Sequence, residues 1–306
     1  MRKPPASITD GGLRTVSSSA SPAPGPDGAR APRIFSAGAW PFVTLHRYVH
    51  RGRPVLWRAR QHRKGLLRGE RGLEHTRAPF WQRAGYNRAT GLLFAVGAFL
   101  FMLGSVLTLF QGGPGGFSVR EIGITFFLGS IPFTIAGYLQ HFQAANATGF
   151  TTAPQNRPQR IALIGWHPRS PGWLSTFTQF IGTIAFNFNT FDGIAPARGW
   201  VMQDVTIWMP GFVGSVLFLV SGFLAYIEAG HAYWSWRPKD LDWQIVFVNL
   251  LGCIFFMVAG VLAYVPAGPE PGWIPLLANA NLWLGALGFF VGAVLLVRES
   301  RLADAG

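Results

Sequence analysis

The stretch YIEAGH at 226–231 places Glu228 and His231 three residues apart near the end of an apolar segment. On a helix that spacing puts both on one face. A Glu-x-x-His pair supplies ligands in diiron bundles, but such a centre takes two of these motifs and two further carboxylates. The chain has one copy. His141 closes another apolar segment on the same side, so Glu228, His231 and His141 form a candidate ion or proton site. The competing reading is a capped or ion-paired helix end. A metal- or haem-binding redox protein would have to use these residues; neither a metal nor a cofactor is expected.

A second pattern lies in WLSTFTQFIGTIAFNFNTF at 173–191. Ser175, Gln179, Thr183 and Asn187 recur every four residues, which makes a polar stripe along one helix face. With Asn249, and with Asn279 and Asn281 further on, the stripe could line a pathway for a small solute, ion or proton. Hydrogen bonding between helices is the simpler use of such groups. The sequence lacks Gly-x-Ser-x-Gly, a phosphate loop, His-Glu-x-x-His and a dinucleotide fingerprint. Its single cysteine, Cys253, lies in an apolar run and can form no disulfide within the chain. No catalytic residue is assigned, and the expectation is a protein that is not an enzyme.

The elements that carry these residues are set by composition. Apolar residues make up 49% of the 306 and charged residues 13%, against roughly a quarter charged in soluble domains. Lipid is the solvent this composition suits. Spanning a bilayer takes about 20 apolar residues in a helix, and six segments reach or approach that: 89–110, 122–142, 173–191, 210–232, 243–265 and 275–297. The third is unusually polar. It is retained because its flanks align with a better-behaved copy.

Charge sets the orientation. Residues 1–88 carry a net +13 and residues 89–306 sum to zero. The loop 143–172 contributes Arg157, Arg160 and Arg169, the loop 233–242 Arg237 and Lys239, and the C-terminal end Arg298 and Arg301. Six spans place all of these on one face. Basic loops stay cytoplasmic, so a plasma-membrane protein with both termini cytoplasmic is expected. The first thirty residues hold no apolar run of the kind a cleaved leader needs.

The N-terminal arm divides by composition. Residues 1–38 are rich in Ser, Pro, Ala and Gly and are expected to be disordered. Residues 39–88 interleave Trp40, Phe42, Leu45, Val49, Leu56 and Trp57 with Arg and His, which predicts basic amphipathic helix on anionic headgroups. A solvated linker is the alternative. A nucleic-acid-binding arm is disfavoured because no recognisable binding fold surrounds it. A protein partner or a second copy of the chain is a further candidate for an organising protein.

The chain repeats itself. WHPRSPGW at 166–173 and WRPKDLDW at 236–243 align at an offset of seventy, and the match continues through Gln179 and Asn249, Gly182 and Gly252, Phe186 and Phe256, and Gly222 and Gly292. Trp166 and Trp236 suit the headgroup level, Ser170 and Asp240 suit helix caps, and Trp173 and Trp243 are expected to anchor the first turn at that interface. FMLGSVL at 101–107 matches FMVAGVL at 256–262, and FFLGSI at 126–131 is set against FFVGAV at 289–294. The sequence therefore predicts an all-α, polytopic membrane protein of six spans in three tandem parallel hairpins: 89–142, 173–232 and 233–306, the last with a short tail, and a cytoplasmic loop at 143–172.

GAFLFMLGSVL followed by FFLGSI resembles the YrhK-like domain, a two-helix membrane module of bacterial proteins. The resemblance covers roughly 89–135 and 249–297. It implies architecture only, since that family brings no activity and no site residues with it.

Overall fold

A computed structural model describes residues 34–50, 52–66, 78–151 and 160–305. The chain is mostly helical. Three strands, β1 (Phe35–Ala37), β2 (Leu45–His50) and β3 (Arg53–Arg58), precede a short helix α1 (Ala59–Lys64). Then come α2 (Ala84–Thr108), α3 (Val119–Ala145), α4 (Pro171–Asp192), α5 (Trp200–Gln203), a π-helical stretch Asp204–Trp208, α6 (Met209–Gly230), α7 (Leu241–Leu262) and α8 (Trp273–Ala305).

Among the described residues five helical segments are long and apolar enough to cross a membrane: Ala84–Thr108, Val119–Ala145, Trp200–Gly230, Leu241–Leu262 and Trp273–Asp304. α4 is as long as α6 and α7 but more polar, and it lies between α3 and α6. The six long helices close a ring in chain order, α8 returning onto α2.

The local signals for these helices are present. Ser118 caps α3 in a capping box with Glu121. Ser170 caps α4, its Oγ accepting from the Trp173 N–H at 3.3 Å, with Pro171 in the first turn. Asp240 caps α7. α8 runs past the expected end at 297 because its last turns are held: Glu299 is buried in an ion-pair cluster and Ser300 Oγ donates to the Ala84 carbonyl at 2.8 Å. The expected C-terminal tail is helix to Ala305.

Close helix approach is set by glycine. A Cβ added to Gly97 would sit 2.8 Å from the Gly129 carbonyl oxygen and 3.0 Å from Phe133. The same arrangement pairs Gly182 with Gly214 and Phe218, and Gly252 with Gly285 and Phe289. On the facing helices Phe101, Phe186 and Phe256 cover Gly129, Gly214 and Gly285. These six phenylalanines, one from each long helix, meet on the ring axis around a void of about 10 Å³. Ring centroids lie 5.3 Å apart for Phe256 and Phe289, 5.4 Å for Phe133 and Phe289, and 5.0 Å for Phe186 and Phe218. The contacts also correct the sequence alignment: Phe133, not Phe126, occupies the place of Phe289, because Phe126 lies against Gly104. Between α6 and α8 Gly214 takes the place of Gly285, one residue beyond the offset of seventy.

Two further expectations are corrected. The arm is not an amphipathic helix: β1, β2 and β3 form an antiparallel sheet, Leu45 opposite Arg58 and Phe35 opposite Arg47, so the chain is not all-α. His46, Tyr48 and Trp57 pack on Phe150, His46 stacked at 3.9 Å. Residues 35–37, assigned to the disordered tail, are β1; the rest of that tail up to residue 33 lies outside the described residues. Second, Trp173 and Trp243 are buried rather than interfacial. Each indole N–H holds the preceding loop, donating at 3.0 Å to the carbonyls of Ile164 and Ser235. The exposed Trp166 and Trp236 pack edge-on against them.

Candidate functional site

The buried ion pairs gather at one end of the ring. That end is closed by α1, with sequence ARQHRK. The helix ends at Gly65 with φ 73°, a left-handed conformation that glycine adopts without a Cβ clash. Arg60 Nη1 donates to Asp242 of α7 and, at 2.5 Å, to Glu299 of α8. Lys64 Nζ donates to the other Glu299 oxygen. Arg63 donates to Glu228 of α6 at 2.7 Å, and Gln61 to Asp242 at 2.6 Å. Asn87 of α2 donates to the Lys64 carbonyl at 3.0 Å.

Three cations meet three carboxylates, so the cluster is neutral when all are ionised. It is also deeply buried, Lys64 being 3% and Glu228 1% exposed. Charges removed from water to this degree persist only when paired. Lys64 nevertheless has its pKa pushed down to about 7, by burial first and the neighbouring Arg60 second, with Glu299 opposing. Gly172, in the α4 entrance motif, leaves the room in which Arg63 and Glu228 meet.

The structure gives each residue of the candidate ion or proton site a different partner. Glu228 takes Arg63. His231 ends α6 with φ 58° and shares a 2.9 Å hydrogen bond through Nδ1 with Thr44 Oγ1 in the arm. Burial, with Arg237 and Arg58 nearby, lowers its pKa to about 3. His141 lies fully buried among Trp173, Phe177 and Phe180, with Nδ1 3.3 Å from Thr176 Oγ1. Among the described residues no group of three His, Cys, Asp or Glu is placed to hold a metal ion.

The polar stripe is divided. Ser175 Oγ donates to the Ser221 carbonyl at 2.9 Å. Thr183 bonds back to the Phe180 carbonyl and lines the phenylalanine void. Asn187 donates to Thr134 Oγ1 at 3.0 Å. Asn279 donates to the Ser105 carbonyl and Asn281 to the Leu277 carbonyl of its own helix. Gln179 and Asn249 line one cavity. Together with Gln140 of α3 they face this space of about 20 Å³, whose other walls are Phe94, Ile245, Phe289, Gly292, Ala293 and Leu296.

Sequence reasoning missed Arg60, Arg63, Lys64, Asp242, Glu299 and Gln140. A signal existed for the acids: Asp242 and Glu299 flank strongly apolar runs in a chain whose positive charge is gathered in the arm. Which arm residues reach them depends on the sheet, and that was not legible.

No family model, curated protein or solved structure matches the chain.

Proposed function

We propose that the chain is a non-enzymatic organising or interaction component of a bacterial plasma membrane, crossing it six times as three tandem hairpins with both termini cytoplasmic. The observation that carries this reading is the closure of the ring axis by Phe101, Phe133, Phe186, Phe218, Phe256 and Phe289. A hydrated route along the axis would have to displace those rings. The bundle is built to hold a shape.

The same Gly-x-x-x-Phe pairing in α2 with α3, α4 with α6 and α7 with α8 supports the tandem-hairpin reading. It is compatible with the YrhK-like resemblance. α4 counts as a span because Ser175, Thr176, Thr183 and Thr190 turn inward while Ile181, Phe188 and Phe191 face outward. Polar groups in a span are tolerated when neighbouring helices satisfy them. The orientation is supported by exposed Arg160, Arg169, Arg237 and Lys239 beside exposed Trp166, Trp234 and Trp236, a pattern suited to anionic headgroups. Arm residues Arg60, Arg63 and Lys64 serve the protein itself and are not part of that lipid contact.

The second reading, a small-solute or ion transporter, has one observation in its favour: Gln179 and Asn249 share a cavity. Flux in proteoliposomes decides between them. The organising role predicts proton and potassium traces that superimpose on those of protein-free vesicles. A wild-type flux that disappears in Gln179→Leu/Asn249→Leu would overturn it.

A further inference from the structure

The cavity between α2, α3, α4, α7 and α8 is faced by three side-chain amides. Gln140, Gln179 and Asn249 come from three helices, and none of their side-chain amides bonds to another protein group among the described residues. All three residues are half-buried, and an amide that faces a cavity without a protein partner is satisfied by water. About 20 Å³ is room for one water, which needs roughly 10–15 Å³ and two to four polar partners. The walls supply that number. They supply no carboxylate, so a neutral guest suits them better than a bare cation, whose dehydration three amides would not offset.

The position of α1 follows from helix spacing. Asp242, Ile245 and Asn249 lie three and four residues apart and so share one face of α7, as Leu296 and Glu299 share one face of α8. Ile245 and Leu296 line the cavity, and one turn beyond them along their helices Asp242 and Glu299 are held by Arg60 and Lys64. On the other side Phe289 belongs both to this cavity and to the phenylalanine closure. α1 itself lines none of the cavity; it is fastened to α7 and α8 one turn beyond the Ile245 and Leu296 end.

We propose that α1 is a removable plug over a chamber that holds one neutral, water-sized hydrogen-bonding guest between Gln140, Gln179 and Asn249, and that withdrawing α1 opens the chamber to the aqueous phase. This goes beyond the organising role and does not rest on it. A partner that drew off the arm would expose the chamber without opening a path across the ring.

The test uses the full chain with Cys253→Ala, which removes its one native thiol, and with Asn249→Cys as reporter. Silver ion, small enough to follow water, is the probe. Protection of the thiol is read as loss of maleimide labelling after denaturation. α1 is released by Asp242→Asn/Glu299→Gln, and release is scored independently by trypsin cleavage at Arg60, Arg63 and Lys64, mapped by mass spectrometry. The expected result is at least tenfold faster silver modification in the released protein, together with new cleavage in α1. Equal silver rates despite cleavage, or rapid modification with α1 in place, would overturn the plug. Absence of new cleavage would show that the ion pairs do not hold α1, which also overturns it. A high-resolution map with no density between the three amides would contradict the guest.

Discussion

Arg60 donates to Glu299 at 2.5 Å, joining the arm to the last helix across 239 positions of sequence. Both side chains are under 10% exposed. The same guanidinium reaches Asp242, so one arginine fastens α7 to α8 and the arm to both. Removing one member of a buried pair leaves a charge without compensation, at a cost of about 3–5 kcal/mol. Glu299→Ala should therefore lose stability on that scale in denaturant titrations of detergent-solubilised protein. Asp304→Ala, whose partner Arg88 is exposed, should change stability by under about 1 kcal/mol.

The glycine contacts make a steric prediction. An alanine at Gly97 would press on the Gly129 carbonyl at 2.8 Å, and the backbone there has little freedom to move. Overpacking of this kind costs about 1–3 kcal/mol. Gly97→Ala should lower the apparent melting temperature, and Gly182→Ala should do the same. Gly85→Ala, where an added Cβ meets nothing within 4 Å, should leave it unchanged or slightly raised.

Two buried bases make stability depend on pH with the same sign. His231 titrates near 3 when folded against 6.5 in its ordinary state, so the unfolded chain binds more protons between those values. Stability is then complete above pH 6.5 and falls as the pH drops toward 3. His231→Asn tolerates the left-handed backbone and should flatten the decline. Lys64 titrates near 7 against an ordinary 10.5. Its neighbours are Arg60 and Arg63 on α1, Glu299 on α8, Asp242 on α7, Glu228 on α6 and neutral Asn87 on α2. Stability should rise between pH 7 and 10.5, and Lys64→Met should remove that rise. Melting temperature against pH for the three proteins checks both.

Most of the ring was legible because apolar runs of spanning length leave few alternatives. The caps at Ser170 and Asp240 were legible because their side chains act on the next few residues. The arm was not. Its alternation places His46, Tyr48 and Trp57 on one face of a sheet against Phe150, a residue in another loop, and histidine scored as polar hides a period of two. The ion-pair cluster depends on that sheet and was hidden with it. Gln179 and Asn249 drew attention because they align at the offset of seventy, whereas Gln140 aligns with no polar residue elsewhere in the sequence.

Side-specific thiol labelling of Ile161→Cys and Ala195→Cys, each in a Cys253→Ala background, tests the central claim most directly. The two positions flank α4, among the described residues the one long helix whose composition alone does not mark it as a span. A six-span ring predicts that Ile161→Cys reacts only with reagent on the cytoplasmic side and Ala195→Cys only with reagent on the opposite side. Labelling of both from the same side would remove α4 from the membrane and contradict the account.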